Sequence, residues 1–127
     1  MHFEIPFYGH ANIRSLHQKT IEITTEPNLT LNGDCVIGVK ASFGCSDIPA
    51  RLKSLLKNSK SEVLCTIIVK DLNFKIKGKG NEKLTFTNPH DIVIRKSSFV
   101  ASDSIPRQMI KLLQNPDSHG IFAIDVI

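Results

Sequence analysis

The strongest constraint in this chain is a repeat: residues 33–58, GDCVIGVKASFGCSDIPARLKSLLKN, recur without a gap as residues 90–115. A shift of 57 carries Asp34 to Asp91, Val36 to Val93, Ile37 to Ile94, Ile48 to Ile105, Pro49 to Pro106, Leu55 to Leu112, Leu56 to Leu113 and Asn58 to Asn115. Most of the shared positions are apolar or turn-forming, so the duplication commits both copies to one local fold and leaves the chemistry open.

Within each copy the apolar spacing predicts a helix. Ile48, Leu52, Leu55 and Leu56 stand at i, i+4, i+7 and i+8, as do Ile105, Met109, Leu112 and Leu113, which places each set on one helical face. Asp47 and Ser104 are positioned to cap, Pro49 and Pro106 suit a first turn, and Asn58 and Asn115 are expected to end the helices in the left-handed conformation. Burying such side chains is worth about 1.5–3 kcal/mol each, so both helices are expected to be core elements.

A chain of 127 residues, 41% of them hydrophobic, is long enough to bury a core. We expect one domain over 1–127, with internal repeats 1–69 and 70–127. Three cysteines, Cys35, Cys45 and Cys65, form no C-x-x-C spacing, which argues against a disulfide framework or a cysteine zinc site. With no export leader and no apolar run of membrane-spanning length, the expected location is the cytoplasm, with no membrane partner.

Alternation marks the strands. Phe3, Ile5 and Phe7 alternate with polar residues or proline, followed by Lys19–Thr24 and Cys35–Val39. After the first helix come Glu62–Val69, then Leu72, Phe74 and Ile76, which echo Phe3, Ile5 and Phe7 at a spacing of about 69. Gly78-Lys79-Gly80-Asn81 would then parallel Gly9-His10-Ala11-Asn12. Leu84–Thr87, Asp91–Lys96 and Gly120–Ile127 complete the set. The expected fold is mainly β with two helices: a pseudo-two-fold closed β-barrel of two β-β-β-α-β halves, a helix plugging each end.

Gly33-Asp34 ahead of Cys35-Val36-Ile37 resembles the GD box of cradle-loop β-barrels. Gly33 would permit a tight entry into the strand, and the Asp34 carboxylate would accept backbone N–H groups; the second copy has His90-Asp91 and keeps only the acid. The whole chain resembles an archaeal family catalogued as domain of unknown function 371. The residues that carry this are Ile5-Pro6-Phe7-Tyr8-Gly9-His10, Asn12-Ile13, His17, residues 33–41, and Pro89-His90-Asp91 through Ser97. The resemblance implies an archaeal cytoplasmic protein and brings no activity or catalytic residue with it.

Charge supplies the first candidate site. Residues 70–96 hold seven basic against three acidic side chains, which accounts for the whole formal excess of +4. Lys75, Lys77 and Lys79 should project from one strand face and, with Lys83, Arg95 and Lys96, suit the phosphates of an RNA or DNA backbone or another polyphosphate. The plain alternative is a solvated face that protects a sheet edge. His10, His17 and His90, with Asp91, form the second candidate, a groove between the halves serving a metal or acid–base chemistry. Cys45 precedes a helix, where a thiolate would be favoured, yet its counterpart is Ser102, and a small buried side chain is the simpler role. No P-loop, nucleophile motif or cofactor fingerprint occurs. The favoured function is thus a small basic binding module without evident catalysis or cofactor. The alternatives are a histidine-based enzyme or metal-binding protein, and a protein-interaction module in a homo-oligomer.

Overall fold

A computed structural model describes residues 1–16, 20–30, 33–95 and 105–127 of the chain. Strand β1 (His2–Tyr8) is followed by β2 (Thr20–Thr24), β3 (Val36–Gly38), a 3-10 turn (Cys45–Asp47), helix α1 (Ala50–Lys57) and β4 (Glu62–Val69). The second half contributes β5 (Leu72–Lys79), β6 (Asp91–Arg95), helix α2 (Arg107–Leu113) and β7 (His119–Val126). The elements α1 and β4 therefore recur at the shift of 57 as α2 and β7. Expectations for His17, Lys19, Lys96, Ser102 and Ser104 lie outside the described residues.

The strands form two open sheets rather than one barrel. The larger has the order β1-β7-β4-β5 with every pair antiparallel, and the smaller has the order β3-β2-β6 with β2 parallel to β3 and antiparallel to β6. The closed pseudo-two-fold barrel is therefore incorrect, and the reason lies in one strand. In the first half β2 lies between β3 and β6 and buries Ile21 and Ile23. The corresponding stretch of the second half, Leu84–Thr87, forms no strand: Leu84 is 41% exposed and Phe86 takes a φ of +53°. A β ladder cannot run through that left-handed residue, so the strand that would have joined β6 to the rest is missing. Among the described residues one isolated β-bridge links the two sheets, in which Tyr8 and Val39 exchange N–H···O=C bonds of 2.8 Å.

The large sheet is built by exchange between the halves. β1 pairs with β7, β5 pairs with β4, and β4 and β7 meet at the centre. Its register fixes how the opening strands correspond. Phe3 faces Ile124 as Phe74 faces Ile67, Ile5 faces Phe122 as Ile76 faces Cys65, and Phe7 faces Gly120 as Gly78 faces Val63. The opening strands thus match at the shift that takes Phe3 to Phe74, two residues beyond the spacing read from their alternation. Gly80, not Gly78, is the counterpart of Gly9. The N–H groups of Gly9 and His10 reach Ser118 O (2.9 Å) and Leu113 O (2.9 Å) at the end of α2, and those of Gly80 and Asn81 reach Ser61 O (3.0 Å) and Leu56 O (2.9 Å) at the end of α1. A Cβ on either glycine would collide with those helix-end carbonyls, which is why both positions are glycine.

Both helices bury the faces their spacing implies: Ile48, Leu52 and Leu56 in the first, Ile105, Met109 and Leu113 in the second, with Leu55 and Leu112 half-buried. Ile110 is fully buried as well. The helix ends differ from expectation. Pro49 and Pro106 are themselves the N-caps without side-chain capping bonds, and the Asp47 carboxylate instead accepts the Gly44 N–H at 2.8 Å. Asn58 ends α1 in extended backbone, and no asparagine takes a positive φ among the described residues. Each asparagine uses its side chain instead: Asn58 Oδ1 accepts the Lys60 N–H and Asn115 Oδ1 the Asp117 N–H, both at 2.9 Å, turning the chain into β4 and β7.

Candidate functional site

β5 is an edge strand, and its alternation separates two surfaces. Phe74 is buried and Ile76 half-buried on the inner side, while Lys75, Lys77 and Lys79 are exposed on the outer side. Strand geometry spaces successive outward ammonium groups by about 6.4–6.8 Å at their roots. Among the described residues none of the three has a carboxylate within ion-pairing distance, although Glu62 stands opposite Lys79 in the ladder. Lys83 is exposed in the turn that follows, where its N–H bonds Asn81 Oδ1 at 2.9 Å. Arg95 sits in the other sheet, paired in register with Thr20, so the basic residues are divided between two sheets.

The opposite edge of the same outer face is differently charged. The counterparts of Lys75, Lys77 and Lys79 on β1 are Glu4, Pro6 and Tyr8. Beside Glu4 lies an acid–imidazole cluster: His2 Nδ1 is 2.5 Å from Asp125 Oδ1 and His2 Nε2 is 2.7 Å from Glu4 Oε2. A neutral ring carries one N–H and can donate to only one carboxylate, so the arrangement favours imidazolium. The His2 pKa is accordingly raised, first by the bond to Glu4 and then by that to Asp125.

The structure places His10 and His90 in loops that engage the Nδ1 of each ring. His10 Nδ1 accepts the Asn12 N–H at 3.0 Å, and Asn12 in turn donates to Leu29 O at 2.7 Å. His90 Nδ1 lies 3.1 Å from Thr25 Oγ1 and 3.8 Å from Glu26 Oε1. His17 lies outside the described residues. Among the described residues no group of three His, Cys, Asp or Glu side chains could hold a metal ion. Asp34 is exposed, and it is its main-chain carbonyl that accepts a bond, from Leu16 N–H at 2.9 Å. Gly33 stands close to Leu29, whose Cδ1 would lie 2.5 Å from a Cβ there. The Asp91 N–H bonds Asn88 Oδ1 at 3.0 Å.

Two features were not read from the sequence. Glu22, in the middle of β2, has a raised pKa, caused first by burial and then by the charge of Asp91. Its position between Ile21 and Ile23 was the available signal. The second is an open cavity of about 370 Å³, lined by Ile48, Leu56 and Val63 of the first half and by Phe86, Asp91 and Phe122 of the second. Cys45 and Cys65 also line it. Burial raises the pKa of Cys45 and pushes that of Cys65 up to about 11, so both are thiols at neutral pH rather than activated nucleophiles. Cys35 is raised for the same first reason.

Among the described residues no helix is long and apolar enough to cross a membrane. A family model described as a domain of unknown function, DUF371, matches residues 5–127. An uncharacterised protein of Methanocaldococcus jannaschii is 37% identical over 100 residues, which span 79% of this chain and 73% of that protein.

Proposed function

The chain belongs to the DUF371 family, and from that membership, which supplies no activity, we propose that it is a binding module for the phosphate backbone of an extended polyanion, RNA before other polyphosphates. The observation that supports this reading is the outward row Lys75, Lys77 and Lys79, exposed on an edge strand and without carboxylate partners among the described residues. Three ammonium groups at regular spacing can follow an extended chain of phosphates, and each phosphate they neutralise releases condensed counterions. Stacking contributes little, because the outward positions between the lysines offer no aromatic ring. The interaction is therefore electrostatic, tolerant of sequence and steep in salt.

Filter binding of a single-stranded RNA at two salt concentrations tests this. Three phosphate contacts give a log–log slope of about −2, so affinity falls about twentyfold between 50 and 200 mM salt. Replacing Lys75, Lys77 and Lys79 together by Gln should abolish binding and the slope. Binding that survives the triple replacement, or is absent at low salt, overturns the reading and leaves the lysines as protection of an edge strand.

A further inference from the structure

Where the first half contains a buried ring, the second half has an exposed glycine. Phe7 is fully buried at the inward end of β1, packed so tightly on Gly38 and Gly120 that neither could carry a Cβ. Its counterpart at the inward end of β5 is Gly78, around which a Cβ would meet nothing within 4 Å. The cross-strand neighbour of Gly78 is Val63, and Val63 lines the cavity of about 370 Å³. The roof over that cavity is the stretch Leu84–Asn88, which in the first half corresponds to a paired strand with two buried isoleucines. Beside this unpaired stretch an apolar groove remains that no side chain of the described residues fills.

We propose that this cavity is a binding site for a small, uncharged, ring-sized apolar molecule that carries one hydrogen-bond donor. Its walls are mostly aliphatic and aromatic, and a volume of that size lies at the lower end of the range used for small ligands. An apolar cavity holds water poorly and takes up apolar molecules in its place. Asp91 in the lining selects for a donor and against an anion, since among the described residues its one side-chain bond is a long one of 3.5 Å from Asn88 Nδ2. The site is separate from the lysine row, which projects from the other side of β5.

The three cysteines report occupancy without any mutation, because Cys45 and Cys65 line the cavity and Cys35 does not. The native protein is alkylated with N-ethylmaleimide in the absence and presence of indole, and the rate at each cysteine is followed by peptide mass spectrometry. Indole at ten times its dissociation constant should slow Cys45 and Cys65 about tenfold, following its fractional occupancy, and leave Cys35 unchanged. Indole-3-acetate, with the same ring and a carboxylate, should give much less protection. No slowing with indole, or equal slowing at all three cysteines, overturns the proposed site. Equal protection by the anion overturns the role of Asp91.

Discussion

Phe7 and Gly78 hold the same place in the two halves of the molecule, and the cores around them differ accordingly. In the first half the inward row of β1 ends in a buried ring, β2 is paired on both sides, and Ile21 and Ile23 are sealed beneath it. In the second half the row of β5 ends in a hydrogen atom, the stretch after it is unpaired, and that stretch borders an open cavity. The outer faces diverge as well, with Glu4, Pro6 and Tyr8 on β1 against Lys75, Lys77 and Lys79 on β5. The conserved frame of strand, helix and strand thus carries one half specialised for packing and one that keeps open space and positive charge. Duplication fixes the shared scaffold, and the divergence around it is where function is to be sought.

The largest test of this difference is Phe7→Ala. Removing a fully buried ring that two glycines were shaped to receive should cost about 3–5 kcal/mol, read as a fall in the urea midpoint at unchanged slope. Ile5 and Ile76 repeat the comparison one step along, the first at 0% exposure and the second half-buried. Replacement by Ala should cost Ile5 toward the upper end of about 2–5 kcal/mol and Ile76 toward the lower end. Equal losses at the two isoleucines would mean that the second half is packed as tightly as the first.

A smaller effect separates two neighbouring glycines. Gly9→Ala and Gly80→Ala each force a methyl group against helix-end carbonyls, with Asn115 O at 2.5 Å and Leu56 O at 2.6 Å, and should each cost about 1–3 kcal/mol. Gly78→Ala, two residues away on the same strand, enters open space and should change stability by no more than about 0.5 kcal/mol. Matching losses at Gly9 and Gly80 would sharpen the correspondence drawn from the register. A severe loss at Gly78 would break it and return the match of Gly78 to Gly9.

What could be read in advance follows from which forces are local. The faces of both helices and most of the strands were legible, because apolar spacing survives duplication and burial acts on each side chain separately. The register of β5 was not, because Phe3-x-Ile5-x-Phe7 and Leu72-x-Phe74-x-Ile76 match as well by alternation as Phe3-x-Ile5 matches Phe74-x-Ile76. Only the long-range pairing with β4 and β7 decides between them. The closed barrel failed for a related reason: Leu84-Thr85-Phe86-Thr87 has the composition of a strand, but a strand needs a partner, and Phe86 at +53° breaks the ladder. At the candidate sites, the outward row of Lys75, Lys77 and Lys79 could be read from alternation. The cavity could not, since its lining comes from the first helix, the central strands and the unpaired stretch Leu84–Asn88, which lie far apart in sequence.

The smallest expected effect is a pH dependence confined to the first half's outer edge. His2 bridges Glu4 and Asp125, whereas the matching positions on the other edge are Asn73, Lys75 and Ile68, which can form no such cluster. Because the folded pKa of His2 is raised above its ordinary value near 6.5, folding favours the protonated ring. The contribution is fully present below about pH 6.5 and is lost as pH rises through the folded pKa. A raised Glu22 pKa, caused first by burial, acts in the same direction. The ring is exposed, so solvent screens the interaction and the slope should be shallow. Following the His2 ring resonances through a pH titration should show an upward-shifted midpoint, while His2→Gln should flatten the stability profile above pH 6.5 and lower the plateau below it. An unshifted midpoint, or a slope that persists in His2→Gln, would place the pH response elsewhere and remove this difference between the two edges.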